Sequence, residues 1–222
     1  MRLDLHVHST RSPDSRLAIE QAVDRLGPAG LQGLALTDHN TIAGHRRLGE
    51  LAERYSMYRL VPGVEVSTRE GHLLVYGVTE LPPIRAPLAE TVDWVRAHNG
   101  VSVLAHPLRW AHGVGQSLME RTGVDGIEGI NGHNGETANA RAELVAARRQ
   151  LAVTGGSDAH IVGGVGRAYT EFPEDARSVE ELLEALRRGS TTAGGRSLRT
   201  GERVRLAIGT ALRRASRGFG PI

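Results

Sequence analysis

The chain has 222 residues, 40% hydrophobic and 23% charged, with a formal net charge of +2, which is the composition of one globular domain able to bury a sizeable core. No apolar run approaches the roughly 18 residues a bilayer span needs, and the opening Met1-Arg2-Leu3-Asp4-Leu5-His6 lacks the apolar stretch of a secretory signal, so a cytoplasmic protein without a membrane partner is expected. The absence of cysteine excludes disulfides and thiolate metal sites and makes the ten histidines informative; all 27 basic residues are arginine, which excludes Schiff-base lysine chemistry and leaves bidentate phosphate recognition available.

Short apolar runs alternate with amphipathic stretches along the chain. Strands are expected at Leu3–Val7, Gly33–Thr37, Leu60–Ser67, His72–Val78, Val101–Ala105, Gly126–Ile130 and Leu151–Thr154, with Thr191–Ala193 as a further short one. Helices are expected at Leu17–Leu26, Ile42–Tyr55, Leu88–His98, Thr137–Arg149 and Ser178–Arg188, the last with a capping box formed by Ser178 and Glu181. Strand followed by helix, repeated, with about seven strands in all, implies a mainly parallel sheet closed into an α/β barrel. The exception is the hairpin from Glu65 to His72, turning at Glu70-Gly71, where an antiparallel departure is expected. Pro107–Gly123 follows a strand end without clear periodicity and reads as a lid or as a plain surface loop.

Beyond Gly194, seven arginines face Glu202 alone, so this stretch carries +6 and the remainder about −4. Val204, Ile208, Ala211, Leu212 and Ala215 have helical spacing, so residues 196–222 are expected to form a basic helical tail packed on the domain spanning residues 1–195.

Chemistry concentrates at the strand ends. His6 and His8 are two apart on a strand and therefore face the same side. The second strand ends in Asp38 and His39, the fifth in His106 and the seventh in Asp158 and His160. Glu65 stands in an otherwise apolar strand, where a carboxylate is costly unless paired or coordinated, so it reads as a bridge between two cations. Five strand ends carrying His, Asp or Glu, in a fold whose sites lie at the C-terminal face of the barrel, point to a metal site of imidazole and carboxylate suited to Zn, Mn or Fe. His45 and His98 lie within helices and read as packing or surface residues. Arg109 follows the fifth strand end and is the best-placed cation for a phosphate, with Arg11 and Arg167 next; Asn131, His133 and Asn134 follow the sixth strand and are candidates for hydrogen-bonding a substrate.

In order from Asp4 to His160, these residues resemble the polymerase and histidinol phosphatase (PHP) superfamily over about three quarters of the chain. The resemblance implies a distorted seven-stranded β/α barrel holding two or three divalent metal ions that hydrolyse phosphate esters. Carried over, His6, His8, Glu65 and Asp158 hold the first metal; Glu65, His106 and His72 the second; His39 and His160 a third. Where several members have a further histidine, this chain offers Asp14, which resembles the stand-alone phosphoesterase branch with its nucleotide phosphatases and short-RNA exonucleases. Asp38 is a candidate ligand or partner of His39, and Asp38, Asp158 or a histidine is the candidate proton donor to the leaving group.

The function expected is hydrolysis of a phosphate ester in a small metabolite, nucleotide or short oligonucleotide end, with no obligate protein partner. Histidinol phosphate is the narrower alternative substrate. A metal-dependent amide or ester hydrolase and a non-catalytic metal-binding regulatory domain are the alternatives of other classes.

Overall fold

The computed structural model describes residues 1–197 and 201. The basic tail helix expected over Val204 to Ala215 lies outside the described residues. The elements run β1 (Arg2–Val7), α1 (Ile19–Asp24), α2 (Leu26–Ala29), β2 (Gly33–Leu36), α3 (His45–Arg54), β3 (Arg59–Ser67), β4 (His72–Tyr76) and α4 (Leu88–Ala97). They continue with β5 (Val101–Leu104), α5 (Gln116–Met119), β6 (Gly126–Asn131), α6 (Glu136–Arg148), β7 (Ala152–Gly156), β8 (Ala168–Glu171), α7 (Val179–Arg187) and β9 (Thr192–Gly195).

The strands form one sheet in the order β7-β6-β5-β4-β3-β2-β1-β8-β9. β1, β2 and β3 are parallel, as are β5, β6 and β7, while β4 runs antiparallel to both its neighbours, as the short turn between Ser67 and His72 requires. The sheet curls until the end of β7 meets β1: a parallel bridge joins Val7 to Ala159, and His8 N donates to Ala159 O at 3.0 Å. The result is a nearly closed α/β barrel. Beyond the seven expected strands it has β9, at the further short strand expected over Thr191–Ala193, and the unexpected β8, which pairs antiparallel with β1 and with β9. Ala168-Tyr169-Thr170-Glu171 is too short to carry a readable period, and only its pairing with β1 makes it a strand.

Helices cover the barrel with the apolar faces their spacing provides. Leu48 and Leu51 of α3 join Leu34, Leu36 and Leu60 from the strands, while Val92 and Val95 of α4 and Val145 of α6 pack with Val75, Leu104 and Ile127. Helix α7, capped by Ser178 and Glu181 as its sequence indicates, sets Leu182, Leu183 and Leu186 against Leu5, Val61, Tyr76 and Val103. Each fully buried leucine contributes about 1.5–3 kcal/mol. Tyr76 is wholly buried and donates its hydroxyl to Leu5 O at 2.8 Å. The segment after β5 contains only the single turn α5; it buries Val114 and Met119 and leaves Trp110 fully exposed. Among the described residues, no helix is long and apolar enough to cross a membrane.

Candidate metal centre

The parallel strands deliver their last residues to one face, where buried histidines and carboxylates converge. Glu65, wholly buried near the end of β3, is the hub. Its Oε2 lies 3.1 Å from His6 Nε2, 3.1 Å from His8 Nε2 and 3.2 Å from His39 Nδ1; its Oε1 lies 2.7 Å from His72 Nδ1 and 2.9 Å from His106 Nε2. Asp158 adds Oδ1 at 3.6 Å from His6 Nε2 and 3.3 Å from His8 Nε2. Burial opposes ionisation of Glu65 and Asp158, yet both are held well below the usual carboxylate range, Glu65 by His39, His6 and His72 and Asp158 by His6 and Arg109.

The ring protons can be placed by elimination. Glu128 Oε1 only accepts, so His6 Nδ1, 2.9 Å away, carries a proton. Ser12 Oγ gives its one proton to Asp38 Oδ1 at 2.9 Å, so it accepts from His8 Nδ1 at 3.0 Å and from His39 N at 2.9 Å. His160 Nδ1 faces the Asp158 carbonyl at 2.8 Å and likewise donates. In the neutral rings, Nε2 of His6, His8 and His160 therefore presents a bare lone pair to a carboxylate oxygen, which is repulsive unless a proton or a cation lies between them. Burial works against a charged His6, but Asp158, Glu128 and Glu65 raise its pKa well above the ordinary value. His8 Nε2 and His39 Nδ1 are buried and have no hydrogen-bond partner among the described residues, although each is within 3.2 Å of Glu65. Unpartnered imidazole nitrogens converging on carboxylates fit divalent metal ions.

Four groups of donor atoms lie within 4.8 Å of one another: His6, His8, Glu65 and Asp158; His39, Glu65 and His72; His8, His39 and His160; and His133, Asp158 and His160. Asp14 stands at the rim, its Oδ2 3.5 Å from His39 Nε2 and 3.1 Å from His160 Nε2; burial raises its pKa, but the two histidines bring it below the usual range. Two of the converging residues are in the left-handed region, His106 at φ 29° and Asp158 at φ 56°, a backbone cost of about 1–2 kcal/mol each that packing around the site must offset.

Arg109 lies beside this cluster. Its Nη2 donates to Asp158 Oδ2 and Asn131 Oδ1, both at 2.7 Å, and its Nε donates to Asn134 Oδ1 at 3.1 Å. Its Nη1 has no hydrogen-bond partner among the described residues. The Asn131 amide is fully engaged: its oxygen accepts from Arg109 and from His133 N, and its nitrogen donates to Glu128 and Asp158, so it positions Arg109. His133 sits 3.8 Å from Asp158, its basicity brought down to about 4 by burial, with Arg109, His160 and Arg167 contributing, although Asp158 opposes this. Arg167 is thus electrostatically close to the cluster. Arg11 is exposed, and its backbone N–H donates to Ser9 Oγ.

Asp38 does not face the cluster. Its oxygens accept from Ser9 N at 2.6 Å, Ser9 Oγ at 2.7 Å and Ser12 Oγ at 2.9 Å. In this arrangement it fixes the 9–12 turn, whose Ser12 in turn accepts from His8 Nδ1 and the backbone N–H of His39. Residues adjacent in an extended chain point to opposite sides, and here His39 takes the cluster side. Sequence reasoning missed Glu128, wholly buried on β6, which accepts from His6 Nδ1 at 2.9 Å, His106 N at 2.6 Å and Asn131 Nδ2 at 3.0 Å. His45 and His98 lie apart from the cluster, His45 Nε2 on Gly63 O and the His98 ring stacked on Trp94.

An α/β barrel with a buried imidazole and carboxylate cluster at its strand ends is the architecture of a metal-binding barrel protein. A family model described as PHP-associated matches residues 136–191. The chain is 41% identical over 91 residues to the phosphoribosyl 1,2-cyclic phosphate 1,2-diphosphodiesterase of Eggerthella lenta, covering 38% of this chain and 34% of that protein. It is 34% identical over 106 residues to a 5'-3' exoribonuclease of Haemophilus influenzae, covering 46% of this chain and 38% of that protein. These matches span little more than a third of either relative. In fold it is similar to a two-domain protein of Bacteroides vulgatus containing a predicted PHP-like metal-dependent phosphoesterase, with a TM-score of 0.68 and 21% identity over 88% of this chain and 64% of that one. The chain is thus similar to PHP-type proteins in sequence over residues 136–191 and in fold.

Proposed function

We propose that this protein is a metal-dependent phosphoesterase that hydrolyses a phosphate ester of a small metabolite, nucleotide or short oligonucleotide end. The observation that carries the reading is Glu65, whose two oxygens lie within 3.2 Å of five imidazoles, beside Arg109, whose Nη1 has no hydrogen-bond partner among the described residues. A carboxylate so surrounded suits a bridge, with His6, His8 and Asp158 on one side and His72 and His106 on the other. His39 and His160 form a further donor group with His8, and Asp14 stands beside them at the rim. When bound, Mn, Zn or Fe ions supply Lewis acidity, making water acidic enough to attack near neutral pH and drawing charge from the phosphoryl oxygens.

The protein's own groups do the rest. Asn131, Asn134 and Asp158 hold the Arg109 fork rigid, which leaves Nη1 to donate to a phosphoryl oxygen at no further ordering cost. Glu128 and Ser12 hold the His6 and His8 rings in the orientation that presents Nε2 to the cluster. Burial of the cluster limits water to what enters from the rim.

The test is a substrate panel with Mn²⁺, Zn²⁺ or Fe²⁺ covering histidinol phosphate, nucleotides, short oligonucleotides and carboxylate esters, run beside Glu65→Gln. Metal-dependent phosphate release, abolished by chelation and reduced at least about 10³-fold by the substitution, is expected. Turnover of carboxylate esters alone, or no metal-dependent turnover, contradicts the proposal.

A further inference from the structure

Asp4 is a wholly buried carboxylate with no part in the reading above. It shares a face of β1 with His6 and His8, because side chains two apart on a strand point the same way, but it lies further from the strand end and belongs to none of the four donor groups. A carboxylate in such a place is costly unless its oxygens are satisfied. Asp4 Oδ1 accepts from Ser157 N at 2.8 Å and from His6 N at 3.3 Å, and its Oδ2 accepts from Gly166 N at 2.9 Å.

These contacts fall at the two ends of the connection between β7 and β8. Ser157 directly follows β7, Gly166 closely precedes β8, and Asp158 and His160 run between them. The first half of the connection is also held by backbone: Asp158 N donates to His6 O at 2.7 Å, His8 N to Ala159 O at 3.0 Å and Arg16 N to His160 O at 3.1 Å. The second half is built from local turns, with Gly164 N on Ile161 O at 2.9 Å and Arg167 N on Gly164 O at 3.1 Å, and Asp4 Oδ2 ties it to β1. Asp158 at φ 56° keeps its left-handed conformation because its surroundings over-determine it, and Asp4 holds the residue immediately before it. Gly166 is in the same region at φ 81°, and a Cβ there would lie 2.8 Å from Ala29 Cβ.

We infer that Asp4 is a positioning residue for the metal centre: one carboxylate staples both ends of the 157–166 connection and thereby sets the places of Asp158 and His160, while touching no ion itself. The inference rests on the metal-centre reading for its consequence, but the staple can be read in the metal-free protein. An asparagine at position 4 keeps the shape and has one accepting atom. Either Ser157 N or Gly166 N then faces an amide NH₂ and loses its acceptor. The connection loosens at that end, and Asp158 and His160 are no longer held beside His6 and His8.

Amide hydrogen exchange, and competition for Zn²⁺ against a chelator, test this in the wild type, Asp4→Asn, Gly166→Ala and Leu186→Ala. Leu186 is buried on α7, outside the connection, so its variant reports what general destabilisation does. In metal-free Asp4→Asn the amides of residues 157–167 are expected to exchange at least about tenfold faster than in the wild type, with β2 to β5 within about threefold. Its Zn²⁺ affinity is expected to fall about 10–100-fold, as when a partner that orients metal donors is lost, whereas Leu186→Ala stays within about threefold. Gly166→Ala strains the far end of the connection and is expected to lower Zn²⁺ affinity in the same direction; it carries the test if Asp4→Asn does not fold. Exchange that quickens uniformly over the barrel, an equal loss of Zn²⁺ affinity in Leu186→Ala, or affinity within about twofold of the wild type in both connection variants overturns the inference. If the wild type binds no Zn²⁺ yet the connection alone loosens in Asp4→Asn, the staple stands and the metal-centre reading falls. If the wild type binds Zn²⁺ and both connection variants bind it as tightly, the reverse holds.

Discussion

Glu128→Gln isolates how the barrel orients its metal donors. The carboxylate accepts three hydrogen bonds in a wholly buried place, from His6 Nδ1, His106 N and Asn131 Nδ2. A glutamine has the same shape but one accepting end. If its oxygen faces His106 N and Asn131 Nδ2, its amide nitrogen meets the His6 Nδ1 proton; if it faces His6, two donors meet the amide instead. Either way a buried donor loses its acceptor, at a cost of about 1–3 kcal/mol. The easiest relief is for His6 to move its proton to Nε2, which removes the lone pair facing Glu65 and Asp158. Loss of such a partner typically lowers metal affinity by about 10–100-fold, or about 1.4–2.7 kcal/mol, in agreement with the hydrogen-bond estimate. The assay is competition for Mn²⁺ or Zn²⁺ against a chelator of known affinity, with circular dichroism confirming the fold. Metal affinity within twofold of wild type would refute the assignment of Glu128 as the positioning partner of His6.

Gly156→Ala attacks the same pair from the neighbouring strand, because a Cβ there would lie 2.3 Å from His6 Cβ and 2.8 Å from Glu128 Oε1. It is expected to lower metal affinity at least about tenfold and to destabilise the fold by about 1–3 kcal/mol in urea titration. Arg109→Ala is expected to reduce kcat/KM for phosphate esters by about 100-fold, and Arg109→Lys to recover little, since an ammonium cannot reproduce the fork held by Asp158, Asn131 and Asn134. Metal present at about 100 times its Kd stabilises the fold by about 2.7 kcal/mol per site, so chelation should lower Tm by about 5–10 °C for each ion lost. No change in Tm on chelation would show that these donors hold no ion in the folded state.

Much of the centre was legible because strands alternate and buried charges need partners. His6 and His8 could be placed on one side by their spacing of two, and Glu65 stood out as a carboxylate in Gly63-Val64-Glu65-Val66. The same logic applied to Gly126-Ile127-Glu128-Gly129-Ile130 would have found Glu128, whose partners are distant in sequence but whose burial is signalled by its apolar neighbours. Asp38 and His39 are adjacent but diverge, as neighbours in an extended segment do, so they are linked only through Ser12. The antiparallel β4 followed from the short turn, but β8 depended on tertiary pairing with β1 that four residues do not announce.

The most direct measurement is diffraction from crystals of the metal-loaded protein, with anomalous data collected at the absorption edge of the bound element. Ions bound to both oxygens of Glu65, one shared with His6, His8 and Asp158 and the other with His72 or His106, are the predicted result. A single ion elsewhere on the barrel, or Glu65 in contact with histidines alone at saturating metal, would contradict it.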